Sequence, residues 1–139
     1  FLGLYGAASD FALDKATQER IALAIAESNA CEYCTSAHTA IGRRAGLSNE
    51  EMLLNRKGSS SDARAAAAVA LAKALNENVG AVTTAELDAA RAAGLTDAGV
   101  VEVIAVVVLN VFTNIINKAS QVEIDFPKVA LLAPQRRAA

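Results

Sequence analysis

Residues 100–116 form the most apolar part of the chain, and they contain neither glycine nor proline. Valine occupies six of the first nine positions of this run, a composition that by propensity alone favours a β-strand. Strands in globular proteins are usually about 3–10 residues long, so the length of the uninterrupted run instead predicts an α-helix. Because the run includes Glu102, Asn110 and Asn114, which are costly in hydrocarbon, we expect a helix of the core or of an interface and no membrane span.

The remaining apolar segments are also predicted to be helical. Alanine supplies 32 of the 139 residues, and it has the highest helix propensity. Capping-box spacings, an N-capping aspartate and glycine stops mark the ends of the segments. The predicted helices cover approximately residues 13–28, 31–45, 48–55, 62–76 and 83–93, with a serine loop at 59–61 and a long helix from 96 onward. We therefore predict an all-α fold, a bundle of about six to seven helices in a single domain over residues 1–139.

Two further features concern the organisation of the chain. The fragments RRAGLSNEE at residues 43–51 and RAAGLTDAG at residues 91–99 are alike. Each is typical of a helix end, a glycine stop and a helix restart, which suggests a duplicated helical hairpin. The tail at residues 125–134 contains both prolines of the chain, and it is predicted to be irregular and to wrap a neighbour.

The charge of the chain limits which classes of partner it can bind, and its cysteine content indicates the cellular compartment. With 13 basic and 15 acidic residues and a pI near 5.4, the chain has no feature that predicts binding to nucleic acid or to an anionic membrane. We expect small molecules or proteins as partners. The two cysteines lie three residues apart, which is not the pattern of a secreted disulfide framework, and no signal or transit peptide is recognisable. We therefore expect a cytoplasmic protein.

The candidate site lies in the segment CEYCTSAHTA, which holds both cysteines and the only histidine of the chain. On a helix, Cys34 lies about 60° from Cys31 and His38 about 20° from Cys31, so the three side chains share one face. His38 is four residues after Cys34, close enough to exchange a proton with it directly or through one water. Cys31 lies near the helix start and Cys34 within the same turn or just beyond it, where unpaired N–H groups favour a thiolate, so we expect the pKa of both thiols to be lowered. A thiolate that attacks a peroxide becomes a sulfenic acid, which a second thiol one turn away converts to a disulfide.

Other interpretations of the cysteine pair remain open. Two buried small hydrophobic side chains would account for the cysteines without any chemistry. A zinc site would need a fourth ligand, and none is evident. A thioredoxin-like motif normally begins a helix that follows a strand, and no strand is predicted before Cys31. By default, Glu19 and Glu27 are solvated helix charges, and Tyr33 is predicted to point away from the pair and pack elsewhere.

Residues 17–52, with the sequence TQERIALAIAESNACEYCTSAHTAIGRRAGLSNEEM, resemble the core of the alkylhydroperoxidase D-like branch of the carboxymuconolactone decarboxylase family. The shared pattern is a glutamate on one helix, a Cys-x-x-Cys pair, a histidine four residues later and a glycine-leucine-serine restart. The resemblance implies an all-helical subunit that assembles into trimers or hexamers. It also implies thiol peroxidase chemistry on hydrogen peroxide or organic hydroperoxides.

The resemblance also assigns roles to individual residues. Cys34 matches the peroxidatic thiol, Cys31 the resolving thiol and His38 the proton-relay histidine. Glu19, twelve residues before Cys31, matches the relay glutamate. One position departs from the pattern, because well-characterised members carry a histidine between the cysteines where this chain has Tyr33, and the proton relay is therefore expected to be shorter. The decarboxylase branch acts without this cysteine pair, so its lactone chemistry fits the sequence less well.

We therefore expect an antioxidant thiol peroxidase that takes a hydroperoxide as substrate and depends on a separate, unidentified thiol or protein reductant. The first alternative is a thiol-disulfide oxidoreductase that exchanges with protein or small-molecule disulfides. The second is an oligomeric redox-sensing or binding module whose cysteine pair oxidises once without turnover. We expect no cofactor and no metal ion, and we expect a homo-oligomer, either a trimer or a hexamer.

Overall fold

The computed structural model describes residues 1–132, which form seven α-helices and no β-strand. The prediction of an all-α fold is therefore confirmed. The helices are α1 (Leu2–Ala7), α2 (Lys15–Ser28), α3 (Glu32–Arg44), α4 (Asn49–Arg56), α5 (Ala63–Glu77), α6 (Thr84–Ala92) and α7 (Asp97–Ala119), and a 3₁₀ turn, Ala8–Asp10, follows α1. Helices α2 to α7 correspond to the six predicted segments. Helix α1 has no counterpart among them, because six residues without a side-chain cap are too short to show a helical period.

Helix α2 lies at the centre of the bundle, where it packs against α3, α4, α5 and α7. Three of its side chains, Ile21, Leu23 and Ile25, have no solvent exposure. Val69 of α5 and Val103 of α7 are equally enclosed and belong to the same core as Ile21 and Ile25. Buried alanines lie between these larger side chains on α2 and α5, and their small volume lets the helices approach closely at native packing density.

The two similar sequence fragments form the same helix connection, one between α3 and α4 and the other between α6 and α7. Their glycines adopt the left-handed conformation, with φ of 90° at Gly46 and 95° at Gly94. The leucine after each glycine, Leu47 or Leu95, donates its N–H to the carbonyl oxygen five residues earlier and is buried, as in a Schellman motif. The predicted sequence of helix end, glycine stop and restart is therefore confirmed at both places.

Helix α7 spans 23 residues and is long and apolar enough to cross a membrane. One of its faces lies in the core, in contact with α2 and α5. Its other face, here called the α7 outer face, exposes large apolar side chains: Val101, Ile104, Val108, Phe112, Ile115 and Ile116. The buried face confirms that α7 is a core helix. The expectation that the same helix also forms an interface stays a prediction.

The tail after α7 is irregular, as predicted, up to residue 132; the rest of it lies outside the described residues. This segment wraps helices of its own chain. The N–H of Val129 donates to Ser36 Oγ of α3 at 3.0 Å, and the N–H of Leu132 donates to Glu27 Oε1 of α2 at 2.6 Å. Arg56 Nε of α4 lies 2.8 Å from the other oxygen of Glu27. Glu27 is therefore not the solvated charge expected from its sequence, because it holds α4 and the tail against α2.

The buried carboxylate of Glu51 joins α4 to α2 and to the loop after α4. Ser48 Oγ accepts a hydrogen bond from the Glu51 N–H at 3.1 Å, but the carboxylate does not return to Ser48, so the predicted capping box is half formed. The two carboxylate oxygens of Glu51 instead accept hydrogen bonds from Arg20 Nε at 2.9 Å and from the loop residues Ser60 and Ser61. Burial raises the pKa of the Glu51 carboxyl, but these hydrogen bonds outweigh burial and hold the pKa far below its usual range.

Candidate active site

Cys31 and Cys34 occupy the start of α3 and are joined by a disulfide bond. Cys31 is the N-cap residue, and its Sγ accepts a hydrogen bond from the Cys34 N–H at 3.3 Å. A two-residue turn at Asn29 and Ala30, with φ of 47° at Ala30, reverses the chain so that α3 packs along α2. Both cysteines face the interior, since Cys31 is 1% exposed and Cys34 is 2% exposed. The predicted tight connection between the first two long helices therefore places the pair in the protein interior.

Glu19 on α2 and His38 on α3 form a hydrogen-bonded pair. Glu19 Oε2 lies 2.8 Å from His38 Nδ1, and the two side chains are 16% and 20% exposed. Because a carboxylate oxygen only accepts hydrogen bonds, Nδ1 carries the ring proton and Nε2 is left as the acceptor. An imidazole held in this way can take a proton at Nε2, and the carboxylate then stabilises the imidazolium. Glu19 is therefore not a freely solvated charge.

A cavity of about 560 Å³ lies between α1, α2, α3 and α7. Its polar lining includes Glu19, Cys34, His38 and Asn117. Much of the remaining wall is aromatic or aliphatic, and it includes Phe1, Tyr5, Ile41, Val106 and Leu109. Cys31 does not line the cavity. Three of the four predicted site residues therefore share one cavity, and of the two bonded cysteines only Cys34 lines it.

Tyr33 also lines this cavity, although its position in the sequence predicted packing elsewhere. Successive helix positions are only about 100° apart, so the neighbour of Cys34 still borders the same space. The Tyr33 ring packs edge-on against Phe126 of the tail, with ring centroids 5.7 Å apart. Burial raises the pKa of the Tyr33 phenol, and the nearby Asp125 carboxylate raises it further. At neutral pH the phenol is therefore protonated and can donate a hydrogen bond.

Asn117 of α7 is a site residue that the sequence reasoning missed. Its Nδ2 donates a hydrogen bond to Cys34 Sγ, with the two atoms 3.5 Å apart. Asn110 and Thr113, at intervals of three and four residues along the same helix, line the same cavity. This polar row runs along a mainly apolar helix, and its spacing in the sequence could have indicated a polar strip that faces a site.

The zinc interpretation gains no support from the described side chains. Within residues 1–132, the Cys, His, Asp and Glu residues form no group of three or more that could hold a metal ion.

Comparison with known proteins gives a family match and a shared fold. The sequence model of the carboxymuconolactone decarboxylase family matches residues 2–77, which include the four predicted site residues but not α7. An uncharacterized peroxidase-related protein from Silicibacter sp. TM1040 has a similar fold, with a TM-score of 0.76 and 22% identity over 93% of this chain and 68% of that one. A cysteine-to-alanine variant of the debrominase Bmp8, in complex with 2,3,4-tribromopyrrole, also gives a TM-score of 0.76, with 20% identity over 88% of this chain and 67% of that one. No curated protein matches the chain.

Proposed function

Because the chain belongs to the carboxymuconolactone decarboxylase family, we propose that it is a thiol peroxidase that reduces hydrogen peroxide or organic hydroperoxides. The observation that carries this proposal is the cavity that Cys34 shares with the hydrogen-bonded pair of Glu19 and His38. The same Cys34 sulfur is bonded to Cys31, so a second thiol is within reach of it in the reduced protein. A reactive thiol, a proton relay and a resolving thiol are the parts that a disulfide-cycling peroxidase needs.

The first step is the reduction of the peroxide by Cys34. In the reduced protein, His38 Nε2 accepts the proton of the Cys34 thiol while Glu19 holds Nδ1. The Cys34 thiolate attacks one peroxide oxygen, so that an S–O bond forms and the O–O bond breaks. The sulfur is oxidised to a sulfenic acid, and the leaving oxygen takes the proton from His38 to give an alcohol or water.

The second step is the closure of the disulfide by Cys31. The Cys31 sulfur attacks the Cys34 sulfur, an S–S bond forms, the S–O bond breaks, and the hydroxyl group leaves as water with the Cys31 proton. Two external thiols then reopen the disulfide: the first forms a mixed disulfide and the second displaces it. A reducing cytoplasm, where we place the protein, contains such thiols.

A single-turnover experiment tests this function. The protein is reduced, one equivalent of an organic hydroperoxide is added, and peroxide loss and intact protein mass are followed together, alongside Cys34→Ser. We expect rapid peroxide loss and a mass decrease of two hydrogens, both absent in the variant. Peroxide loss no faster than with a free thiol would overturn the proposal. Rapid turnover of a disulfide substrate under the same conditions would then favour the thiol-disulfide oxidoreductase.

We also propose that the chain forms a homo-oligomer, a trimer or a hexamer, through the α7 outer face. Six large apolar side chains on that face are exposed in the single chain. They recur along the helix at the intervals of three and four residues that form a continuous stripe. A contiguous apolar stripe of this kind is typical of a surface that is covered by another protein surface.

A further inference from the structure

The polar row of α7 ends at Asn117, whose side-chain amide reaches the Cys34 sulfur. The hydrogen bond from Asn117 Nδ2 to Cys34 Sγ measures 3.5 Å. We propose that this amide stabilises the Cys34 thiolate and so sets how much of the reactive form is present. The effect of Asn117 on the ionisation of Cys34 stands by itself, whereas its effect on the rate of peroxide reduction rests on the function proposed above.

The two sulfurs of the pair have different hydrogen-bond donors. Cys31 Sγ, at the N-cap of α3, accepts the backbone N–H of Cys34 at 3.3 Å. That N–H points to the neighbouring sulfur and is not a donor to its own side chain. Among residues 1–132, Asn117 is the only side chain found to donate a hydrogen bond to Cys34 Sγ. The backbone at the start of α3 therefore provides the hydrogen-bond donor for Cys31 Sγ, and Asn117 of α7 provides the donor for Cys34 Sγ.

The roles of Asn117 and His38 in this arrangement are distinct. A carboxamide is neutral and its nitrogen does not take up a proton, so Asn117 cannot serve as the base. It can only stabilise the negative charge that remains after His38 has removed the proton. The backbone of Asn117 is held at the end of α7, where its main-chain carbonyl oxygen accepts a hydrogen bond from the Val122 N–H at 3.1 Å.

The expected size of the effect follows from the strength of hydrogen bonds to charged groups. Loss of one such donor should raise the midpoint pH of Cys34 ionisation by about one unit. A thiolate that is less stabilised is also more nucleophilic, by roughly threefold for each unit. At a pH below both midpoints, the tenfold loss of thiolate therefore exceeds the gain in nucleophilicity, and the net rate should fall by roughly threefold.

The test is made in a Cys31→Ser background, where Cys34 is the only thiol of the chain. The rate of alkylation by iodoacetamide is measured against pH, which gives the ionisation midpoint without reference to peroxide. We expect Asn117→Ala to raise the midpoint by about one unit, and Asn117→Asp to raise it further because a carboxylate opposes the thiolate. Thr113→Val is the matched control. Thr113 lines the same cavity, but its hydroxyl donates to backbone carbonyl oxygens of α7. The ionisation midpoint of Cys34 should therefore be unchanged in Thr113→Val.

Two results would overturn the inference: an unchanged midpoint in Asn117→Ala, or a midpoint for Asn117→Asp no higher than that of the parent. The aspartate variant has nearly the size of asparagine, so it remains informative if the alanine variant loses stability. The proposed function is judged separately, by peroxide loss in the protein with both cysteines. A shifted midpoint without peroxidase activity would support the role of Asn117 in ionisation and reject the proposed function. Peroxidase activity with unchanged midpoints would support the function and reject the role of Asn117.

Discussion

The Glu19 carboxylate and the His38 imidazole are joined by a hydrogen bond of 2.8 Å, although the two residues are 19 positions apart in the sequence. The turn at Asn29 and Ala30 makes this contact possible, because it folds α3 back along α2. The contact uses His38 Nδ1, so the Glu19 carboxylate can act on the peroxide through the imidazole. In the proposed mechanism Glu19 is therefore a positioning residue, which holds the ring and stabilises its charged form.

Replacement of Glu19 by glutamine should slow peroxide reduction by at least about tenfold, with little change in thermal stability. Glutamine can still reach Nδ1, but it is neutral and no longer stabilises the imidazolium. Stopped-flow measurement of peroxide loss and a melting curve for each protein would check this. Glu27→Gln is the matched control on the same helix: it should weaken the contacts to Arg56 and the tail and leave the peroxide rate intact. Unchanged kinetics in Glu19→Gln would remove Glu19 from the mechanism.

Cys34 should be the sulfur that reagents in solution reach, because it lines the cavity and Cys31 does not. In the reduced single-cysteine variants, Cys31→Ser should form a mixed disulfide with an aromatic disulfide reagent on the order of tenfold faster than Cys34→Ser. Intact mass measured over time gives both rates. In denaturant the two variants should react alike, since burial no longer distinguishes them. A faster reaction at Cys31 in the folded protein would instead assign the peroxidatic role to Cys31 and the resolving role to Cys34.

The features that the sequence predicted correctly depend on short-range physics. The shared face of Cys34 and His38, which line one cavity, follows from helix periodicity, whereas Cys31 lies at the extended N-cap of α3, where the helix angle no longer applies. The connections at Gly46 and Gly94 follow from local capping signals, and both form as expected. For the site, periodicity alone identified the face of α3 and did not identify Glu19. Glu19 came from the resemblance of residues 17–52 to a family, because its contact with His38 depends on how two helices pack.

The features that the sequence did not predict are contacts over long separations. Asn117 meets Cys34 across 83 positions, and its periodicity on α7 gives no information about which helix it faces. The tail donates hydrogen bonds from Val129 and Leu132 to its own α3 and α2, across 93 and 105 positions, and the expectation that it wraps a neighbour stays a prediction. The error for Tyr33 has a different origin, because adjacent helix positions are only about 100° apart and the neighbour of Cys34 can still border the same cavity.

Acidification should remove the contribution that the charged Glu51 carboxylate makes to the free energy of unfolding. The pKa of this carboxyl is far lower in the folded chain than its unfolded value of about 4.3, so its contribution is fully present above about pH 5 and is lost as the pH falls. Glu51→Gln should lower the free energy of unfolding by about 2–4 kcal/mol at neutral pH, because it leaves the largely buried guanidinium of Arg20 without its partner. Denaturant titrations at several pH values would measure this.

The pH dependence distinguishes the Glu51 effect from a general loss of packing. The difference between the wild type and Glu51→Gln should shrink as the pH falls below about 4, since the unfolded wild-type chain then takes up a proton at Glu51 that the folded chain does not. Glu50→Gln, at the exposed neighbouring position of α4, should change stability much less than Glu51→Gln at any pH, because water screens an exposed carboxylate. A difference for Glu51→Gln that stays constant with pH would show that its charge is not what stabilises the fold.

A charge on the α7 outer face should break the proposed oligomer. Val108 lies at the middle of this face and is 53% exposed in the single chain, so Val108→Asp would bury a carboxylate in the contact but leave the folded subunit almost undisturbed. Light scattering should then give the mass of one chain for the variant and three or six chains for the wild type. Val79→Asp is the control, because Val79 is 95% exposed outside this face, and its φ of 52° suits aspartate. An assembled Val108→Asp would place the interface elsewhere, and a wild type with the mass of one chain would refute the assembly itself.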